Sequence, residues 1–501
     1  MRMLGMTIKF THVGVVALVV AMLGCAPRIT SPSSASGRVG QSFSYQIEAT
    51  RSPSAFRASL PPPGGLSTDP QTGLISGIPQ DQGVFHVELG ASNQNGEGTA
   101  QLQLTIASDV PPPPSHAVVS EKELFIVNSR VLNAPQAQRG GSWHIRQALQ
   151  RIAGAGEDVD VFADAWFATW TTNVSLPEVD ERFRARPWVT AALRDAWRND
   201  RIQLIAIVNR IDLTRFPNND STQPPTQLGE GRFIYEVLGA QQQPLPFTVI
   251  FEYGLPMVGD PASALASWAQ RWHALGRSDL GAPNEFPDQY LAELEQITDE
   301  FSAHGTLNQI RSNEFLVPST GGRLWELREY HFDSGARRLA QRPVKLTPGI
   351  SSDNTTQLTA FIQGNESDIL GGVPVEFPRE LRAAVSPVPN PSFTWRAPNV
   401  GDRALFNMSF NSCSGCHAGD TGTLFQHVGV NAPTLSAFLR GPIQLRQPLP
   451  PGSNQNRTHD EMGQRRMLLA DFAGDAPVGI SSARAADIVS QLLKARSGRP
   501  H

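Results

Sequence analysis

Cysteine is scarce in this chain of 501 residues. Only Cys25, Cys413 and Cys416 are present, and none remains for a structural disulfide once the roles argued below are assigned. Charge is also sparse, 18% of residues with a net charge of −4, so no basic surplus points to nucleic acid as a partner. Long apolar runs are missing. The run Val13 to Leu23 is too short for a good membrane span. The sequence holds no G-x-S-x-G elbow, Walker loop, G-x-G-x-x-G turn or H-E-x-x-H helix, which removes the usual signals of hydrolase, nucleotide and zinc-protease sites. Glycine and proline are not lacking. The 43 glycines and 40 prolines point to loops, linkers and β-structure rather than a helical bundle.

Cys413-Ser414-Gly415-Cys416-His417 reads C-x-x-C-H, the attachment signal for a c-type haem. Two thiols one helical turn apart can each add to a vinyl group of one porphyrin. The adjacent imidazole, His417, then takes the iron as proximal ligand. A bare C-x-x-C also serves as a redox disulfide or as half of a zinc site. Zinc lacks a second cysteine pair here, and a thioredoxin-like pair would follow a strand in a βαβ unit. The pair instead follows Ala404-Leu405-Phe406-Asn407.

Arg403 to Asn407, followed by the haem motif and Ala418-Gly419, resembles the opening of a small cytochrome c domain. The resemblance runs from about Ala397 to the C-terminus and is specific only at the haem motif. It implies a mainly α-helical domain over 396–501 with one haem c, Cys413 and Cys416 as covalent anchors. The stretch Ala485 to Lys494 would be the helix packed across the N-terminal one. For the sixth ligand Met462 or Met467 is favoured, at a separation similar to that in small cytochromes c, with His427 and His459 as rivals.

At the N-terminus, Arg2 and Lys9 precede the short apolar run, as in an export signal. Met22-Leu23-Gly24-Cys25 resembles the bacterial lipoprotein signal, which implies a signal peptide over 1–25, lipidation of Cys25 and a membrane partner through that anchor. Ala26 in place of Asp leans towards the outer membrane. Ordinary secretion is the alternative, and either way the chain is exported to the bacterial cell envelope. Haem c is attached outside the cytoplasm in bacteria, so the two signals require the same compartment.

Residues 28–108 read as an all-β module. Phe43, Tyr45, Ile47 and Ala49 alternate with polar neighbours. So do Phe85, Val87, Leu89 and Ala91, and Ala100, Leu102, Leu104 and Ile106. Turn signals at Pro61 to Gly65, Gly77-Ile78-Pro79 and Asn93 to Gly96 separate them, as in a sandwich. Gly40 to Tyr45, Gly65-Leu66-Ser67, Thr72 to Pro79 and Ala91-Ser92-Asn93 are similar to the immunoglobulin-like, dystroglycan-type cadherin-like repeat of bacterial surface proteins. That resemblance implies a spacer or adhesive module. Calcium is a further ligand it admits, although Asp69 and Asp81 lie in separate turns and no acidic linker motif is present.

Val110 to Pro114 is a stiff polyproline stretch, which sets a linker at 109–118. Residues 119–395 mix strand signals (Glu123 to Val127, Ile202 to Val208, Phe247 to Phe251, Phe315 to Val317, Leu324 to Phe332) with helical ones (Trp143 to Ile152, Ala262 to Leu275, Tyr290 to Phe301). The mixture argues for an α/β or α+β domain. Trp268 and Trp272 at helical spacing read as core. Asp158, Asp160 and Asp164 read as a solvated face, with a cation site as the alternative. Asn209, Arg210 and Asp212 follow a buried strand, where α/β sites often lie. Gly229-Glu230-Gly231 reads as a tight turn.

The expected multidomain chain is therefore an envelope-anchored electron-transfer haem protein with an unidentified redox partner. A surface-binding or assembly lipoprotein, its haem structural or sensory, is the alternative. An oxidoreductase with substrate held beside the haem is a third reading.

Overall fold

The computed structural model describes residues 26–38, 43–59, 65–79, 83–107, 116–180, 182–215, 225–255, 257, 259–315, 325–371, 375–388, 390, 392–423, 425–429, 434–444 and 458–474. Cys25, Asp81, Pro111 to Pro114 and the stretch 485–494 lie outside these residues. The chain divides into two compact units, 1–109 and 110–501.

The first unit is all β. Its strands are β1 (Ser34–Arg38), β2 (Phe43–Gln46), β3 (Ala55–Ala58), β4 (Leu66–Thr68), β5 (Leu74–Gly77), β6 (Gly83–Asn93) and β7 (Gly96–Ala107). They form a four-stranded sheet, β1-β7-β6-β3, and a three-stranded sheet, β2-β5-β4. The alternating positions in the sequence supply the shared core. Phe43, Tyr45, Ile47, Ile75, Val87, Leu89, Leu102, Leu104 and Ile106 are all buried, because a strand turns every second side chain to one face. Asp69 Oδ1 accepts the Gln71 and Thr72 N–H groups at 2.8 and 3.1 Å, closing a turn. Those bonds hold its carboxyl below the usual range.

The second unit is built on one large antiparallel sheet. Its first strand, β8 (Phe125–Ile126), lies within the expected strand Glu123 to Val127 but is shorter, since Glu123 closes a helical turn, α1 (Ser120–Glu123). The two-stranded ribbon β9 (Val174–Ser175) and β10 (Arg182–Phe183) stands apart. The body of the sheet is β11 (Ile202–Arg215), β12 (Gln227–Leu238), β13 (Pro244–Gly254), β14 (Leu307–Phe315), β15 (Trp325–Asp333) and β16 (Arg338–Arg342). The strand order is β16-β15-β14-β13-β12-β11-β8. Three short strands follow: β17 (Val344–Pro348), β18 (Arg382–Ala383) and β19 (Ser386–Val388), the last pairing with β15.

Gly229, Glu230 and Gly231 are not a turn. They lie within β12, where Glu230 and Gly231 pair with Arg210 and Asn209 of β11 and with β13, and Gly229 falls at a shift in the β11 register. A Cβ on Gly229 would sit 2.6 Å from the Arg210 carbonyl, and its φ of +108° favours glycine. The glycine signal marks a close approach between strands.

One face of the sheet is apolar. Register places Ile207, Phe233, Phe251, Ile310 and Tyr330 in one row across five strands. The next elements in the chain are α2 (Ser129–Leu132), α3 (Ile145–Ala153), α4 (Val159–Phe167), α5 (Pro187–Arg198), α6 (Pro261–Ala274) and α7 (Asp288–Phe301). On α7, Tyr290, Leu291, Leu294, Ile297 and Phe301 recur at three- and four-residue intervals and are buried together. Phe301 packs on Phe233 and Tyr253, and Trp166 of α4 on Phe251 and Tyr330. Trp268 and Trp272 are buried on α6. Asp158 caps α4, while Asp160 pairs with Arg146 and Asp164 with Arg194, so these three carboxylates are committed to protein partners.

The later helices are α8 (Thr356–Gly364), α9 (Glu366–Gly371), α10 (Asp402–Phe410), α11 (Cys413–Cys416), α12 (Ala437–Arg440) and α13 (Glu461–Ala473). The segment beyond Ala397 shares its core with the sheet. Phe406, Phe410, Phe438, Leu439, Met462 and Leu469 enter the same cluster as the sheet residues, and Ala404, Met408 and Cys413 enter a second with Trp325 and Leu327. Short ladders, Val428–Gly429 with Thr434–Leu435 and Ile443–Gln444 with Thr458–His459, mix strand into it. Among the described residues no helix is long and apolar enough to cross a membrane.

A candidate cofactor site on the ionic face of the sheet

The second face of the sheet carries charge under cover. Val208, Arg232, Glu252 and Gln309 form one cross-strand row, and Ile234, Ile250, Arg311 and Glu329 the next. Arg232 binds Glu230 and Glu252 at 2.6 and 3.2 Å. Arg311 reaches Glu252 and Glu329 at 3.3 and 3.1 Å. Arg210 holds Asp212 at 2.8 Å, and from α13 Arg465 binds Glu461 at 2.9 Å. Burial opposes charge on Glu230 and Glu329, but the Arg232 and Arg311 guanidiniums hold both carboxyls below their usual range. Such pairs recover their desolvation cost only with good geometry, and apolar packing would often stabilise as much. An ionic layer under cover therefore points to a role beyond stability.

The C-x-x-C-H motif covers this layer. Ser412 caps α11, its Oγ accepting the Gly415 N–H at 3.1 Å. Gly415 is required there, since a Cβ would lie 1.9 Å from the Ser409 carbonyl. The Cys413 N–H donates to Thr347 Oγ1, and Trp395 Nε1 donates to Ser414 Oγ, both at 3.0 Å. Cys413 and Cys416 are two buried thiols. Burial pushes the Cys413 thiol up despite nearby Arg311.

His417 is fixed on two sides. Its Nδ1 donates to the Phe425 carbonyl, and its ring stacks on Trp325 with centroids 4.8 Å apart. A carbonyl only accepts, so Nδ1 carries the hydrogen and Nε2 keeps the lone pair a metal would need. Burial pushes His417 down to about 4, so the imidazole is neutral near pH 7. His427 lies against it, with ring centroids 4.5 Å apart and Nε2 3.6 Å from Cys416 Sγ. Burial holds His427 well below its ordinary value as well.

Between this cover and the sheet lies a narrow cavity of about 70 Å³. That is well below the roughly 300–1,000 Å³ of small-molecule sites. Its floor is Val208, Arg210, Arg232, Ile234, Thr248, Ile250 and Asn313. Its roof includes Phe410, Cys416, His417, His427, Phe438 and Leu439, with Glu461 and Arg465 at the side. The walls are thus apolar with a cluster of guanidiniums.

The expected residues are distributed unevenly. Cys416, His417 and His427 line the cavity, and so does Arg210, the residue singled out after the buried strand. Cys413 belongs to the neighbouring cluster with Trp325 and Met408. Met462 is buried in the main cluster and Met467 is half-buried on the same helix, but neither is on the cavity wall. His459 packs on Phe438 and binds Glu461 Oε2 at 2.9 Å. Arg232, Arg465 and Glu461 were missed by the sequence reading. The available signal was the alternation Glu230, Arg232, Ile234 against Gly231, Phe233, Tyr235.

The family described as "Putative Ig domain" matches residues 26–107. Those residues form an Ig-like module. No curated protein matches the chain. Among solved structures, a "putative alpha-galactosidase/melibiase" from Bacteroides fragilis is 26% identical, over 22% of this chain and 23% of that one, with a TM-score of 0.16. Human protocadherin-24 EC1-2 is 14% identical, over 21% and 49%, with a TM-score of 0.15. The SrpA adhesin from Streptococcus sanguinis is 15% identical, over 19% and 63%, with a TM-score of 0.15. The chain thus spans less than a quarter of the first of these proteins and about half of the second. At TM-scores this low the likenesses bear on neither the whole fold nor the function.

Proposed function

We propose that the second unit holds one haem c in the cavity beneath α11, and that the protein is an electron carrier anchored at the cell envelope through Cys25. The observation that carries the reading is the placement of Cys416 and a neutral His417 on the wall of an apolar, arginine-bearing cavity. The bound haem would supply a one-electron centre. Cys413 and Cys416 would anchor it, and His417 would be the proximal ligand. Its Nδ1–H bond to the Phe425 carbonyl fixes the ring and leaves Nε2 for iron. Arg210, Arg232 and Arg465 line the cavity, and each would have to share a guanidinium now paired with a buried carboxylate to meet the carboxylates of the macrocycle. The fit is incomplete in two respects: Cys413 lies one turn away beside Thr347, and the cavity of about 70 Å³ is far smaller than a haem, so the cover would have to part from the sheet to admit one.

Of the candidate sixth ligands, His427 is on the wall and Met462 and Met467 are not, but the His427 ring touches that of His417 with centroids 4.5 Å apart, which leaves no room for a macrocycle between them, so these positions assign no sixth ligand. Bis-histidine ligation would give a lower potential than methionine. The test is a pyridine haemochrome assay on the full chain. The wild type should give the c-type signal, and the double variant Cys413→Ala/Cys416→Ala should not. A c-type signal surviving in the variant would remove the proposal.

A second reading rests on the Ig-like module at 26–107. Here the first unit serves surface binding or assembly, and the haem is structural or sensory. Deleting 26–107 should then abolish partner capture on whole cells while covalent haem is retained.

A further inference from the structure

A cluster of metal-ligating side chains lies away from the cavity, at the start of the second unit. His116, Glu123 at the end of α1 and His273 in the last turn of α6 bring their donor atoms within 4.8 Å of one another. Glu123 and His273 are fully buried, and His116 keeps only 23% of its side chain exposed. Glu123 Oε2 lies 2.6 Å from His273 Nδ1, and its Oε1 accepts the Val119 N–H at 2.7 Å. That hydrogen-bonded pair would be complete as it stands. The third group is His116, whose ring stacks on His273 with centroids 4.3 Å apart. Its buried Nε2 makes no hydrogen bond and stands 3.4 Å from Glu123 Oε1.

That separation has a chemical meaning. Zinc binds nitrogen and carboxylate oxygen at about 2.0–2.2 Å in a tetrahedron, so two ligands on one ion lie roughly 3.3–3.5 Å apart. His116 and Glu123 already meet this spacing, whereas the 2.6 Å hydrogen bond between His273 and Glu123 would open to admit the ion. Two imidazoles and one carboxylate are a donor set suited to a borderline divalent ion. The residue facing them is Gly276. A Cβ there would lie 1.9 Å from Glu123 Oε1 and 2.4 Å from His116 Nε2. The chain thus leaves the room that these ligand atoms occupy.

We infer that His116, Glu123 and His273 form a three-ligand site for a divalent transition-metal ion, with Zn2+ as its simplest occupant. The ion would tie the entry segment of the second unit to α6. The exposed edge of His116 leaves a fourth position for water or an anionic group. The site shares no residue with the haem proposal and does not depend on it.

The test is calorimetric titration of chelator-treated full-length protein with Zn2+, with elemental analysis of the product. The wild type should bind one equivalent at this site, with its melting temperature raised by the metal. His116→Ala should weaken binding at least about tenfold. Because His116 is partly exposed, that variant should match the wild type in circular dichroism and metal-free melting. Gly276→Ala should also block binding, by filling the space beside the ligand atoms. The double variant Cys413→Ala/Cys416→Ala should keep the equivalent. No binding by the wild type, binding unchanged in His116→Ala, or loss confined to the cysteine variant would each overturn the assignment.

Discussion

The two faces of the large sheet are built from the same strands and are opposite in chemistry. In β13, Val249, Phe251 and Tyr253 turn to the helices, while Thr248, Ile250 and Glu252 turn to the C-terminal segment. All are buried except Ile250, which is half-buried. The apolar face needs only complementary shape. The ionic face is stable only while each charge keeps its partner. A single substitution should therefore act through cavity formation on one face and through charge imbalance on the other.

The largest expected effects put that contrast to work. Phe251→Ala should cost about 3–5 kcal/mol of unfolding free energy by denaturant titration, since a buried aromatic leaves a cavity among other rings. Glu252→Gln should cost a similar amount, about 3–5 kcal/mol, because Arg232 and Arg311 both lose a charge partner. The faces separate when a pair is replaced together. Arg210→Met with Asp212→Leu should stay within roughly 1 kcal/mol of the wild type or exceed it. On the haem proposal, the same change should lower the yield of covalently attached haem. A paired replacement as costly as the single one would mean that the ionic face is structural in the same sense as the apolar one.

These faces were unequally legible in the sequence. Phe247 to Phe251 reads as strand because apolar residues dominate it. β12 was hidden, since Glu230 and Arg232 beside two glycines resemble a turn when polar residues are assigned to solvent. Their burial depends on partners from β11, β13, β14 and α13, and such long-range pairing leaves no local pattern. The Ig-like module was legible almost residue by residue, because its one-sided strands obey simple alternation. In the site, C-x-x-C-H declared itself by spacing. The position of His427 did not, since it depends on the loop between α11 and α12 folding back over His417. The shared core of sheet and C-terminal segment was likewise invisible, because short helices with a few aromatics look the same in a separate domain.

A smaller effect concerns pH on the covered face. Burial pushes the Asp420 carboxyl up to about 7, while Ser409 opposes by donating to it. The folded state then holds a proton that the unfolded chain releases, so this group's stabilising share is complete below about pH 4 and is lost as pH rises through 7. His417, pushed down to about 4, acts oppositely. Its share is complete above about pH 6.5 and is lost as pH falls through 4. Asp420→Asn should thus add roughly 1–3 kcal/mol at about pH 8 and little near pH 4. In the haem-free protein its melting profile should lose the decline through pH 7 and keep the acid-side one. An unchanged profile would mean that Asp420 ionises freely in the folded protein.

The smallest effect is in the first unit. Arg57 pairs with Glu88 and Glu97 at 2.8 and 2.5 Å, but all three are well exposed. Arg57→Ala should leave the melting temperature nearly unchanged, and any difference should shrink further in high salt. The same number of ion pairs thus carries different weight on the open surface and under cover.

The most direct measurement is a haem-stained denaturing gel of the full chain, expressed with periplasmic haem-attachment machinery. The account predicts a stained band at the protein's own mass, lost in Cys413→Ala/Cys416→Ala. An unstained band with protein present would contradict it, returning the two cysteines to thiol or disulfide chemistry and leaving a surface-binding role as the better reading.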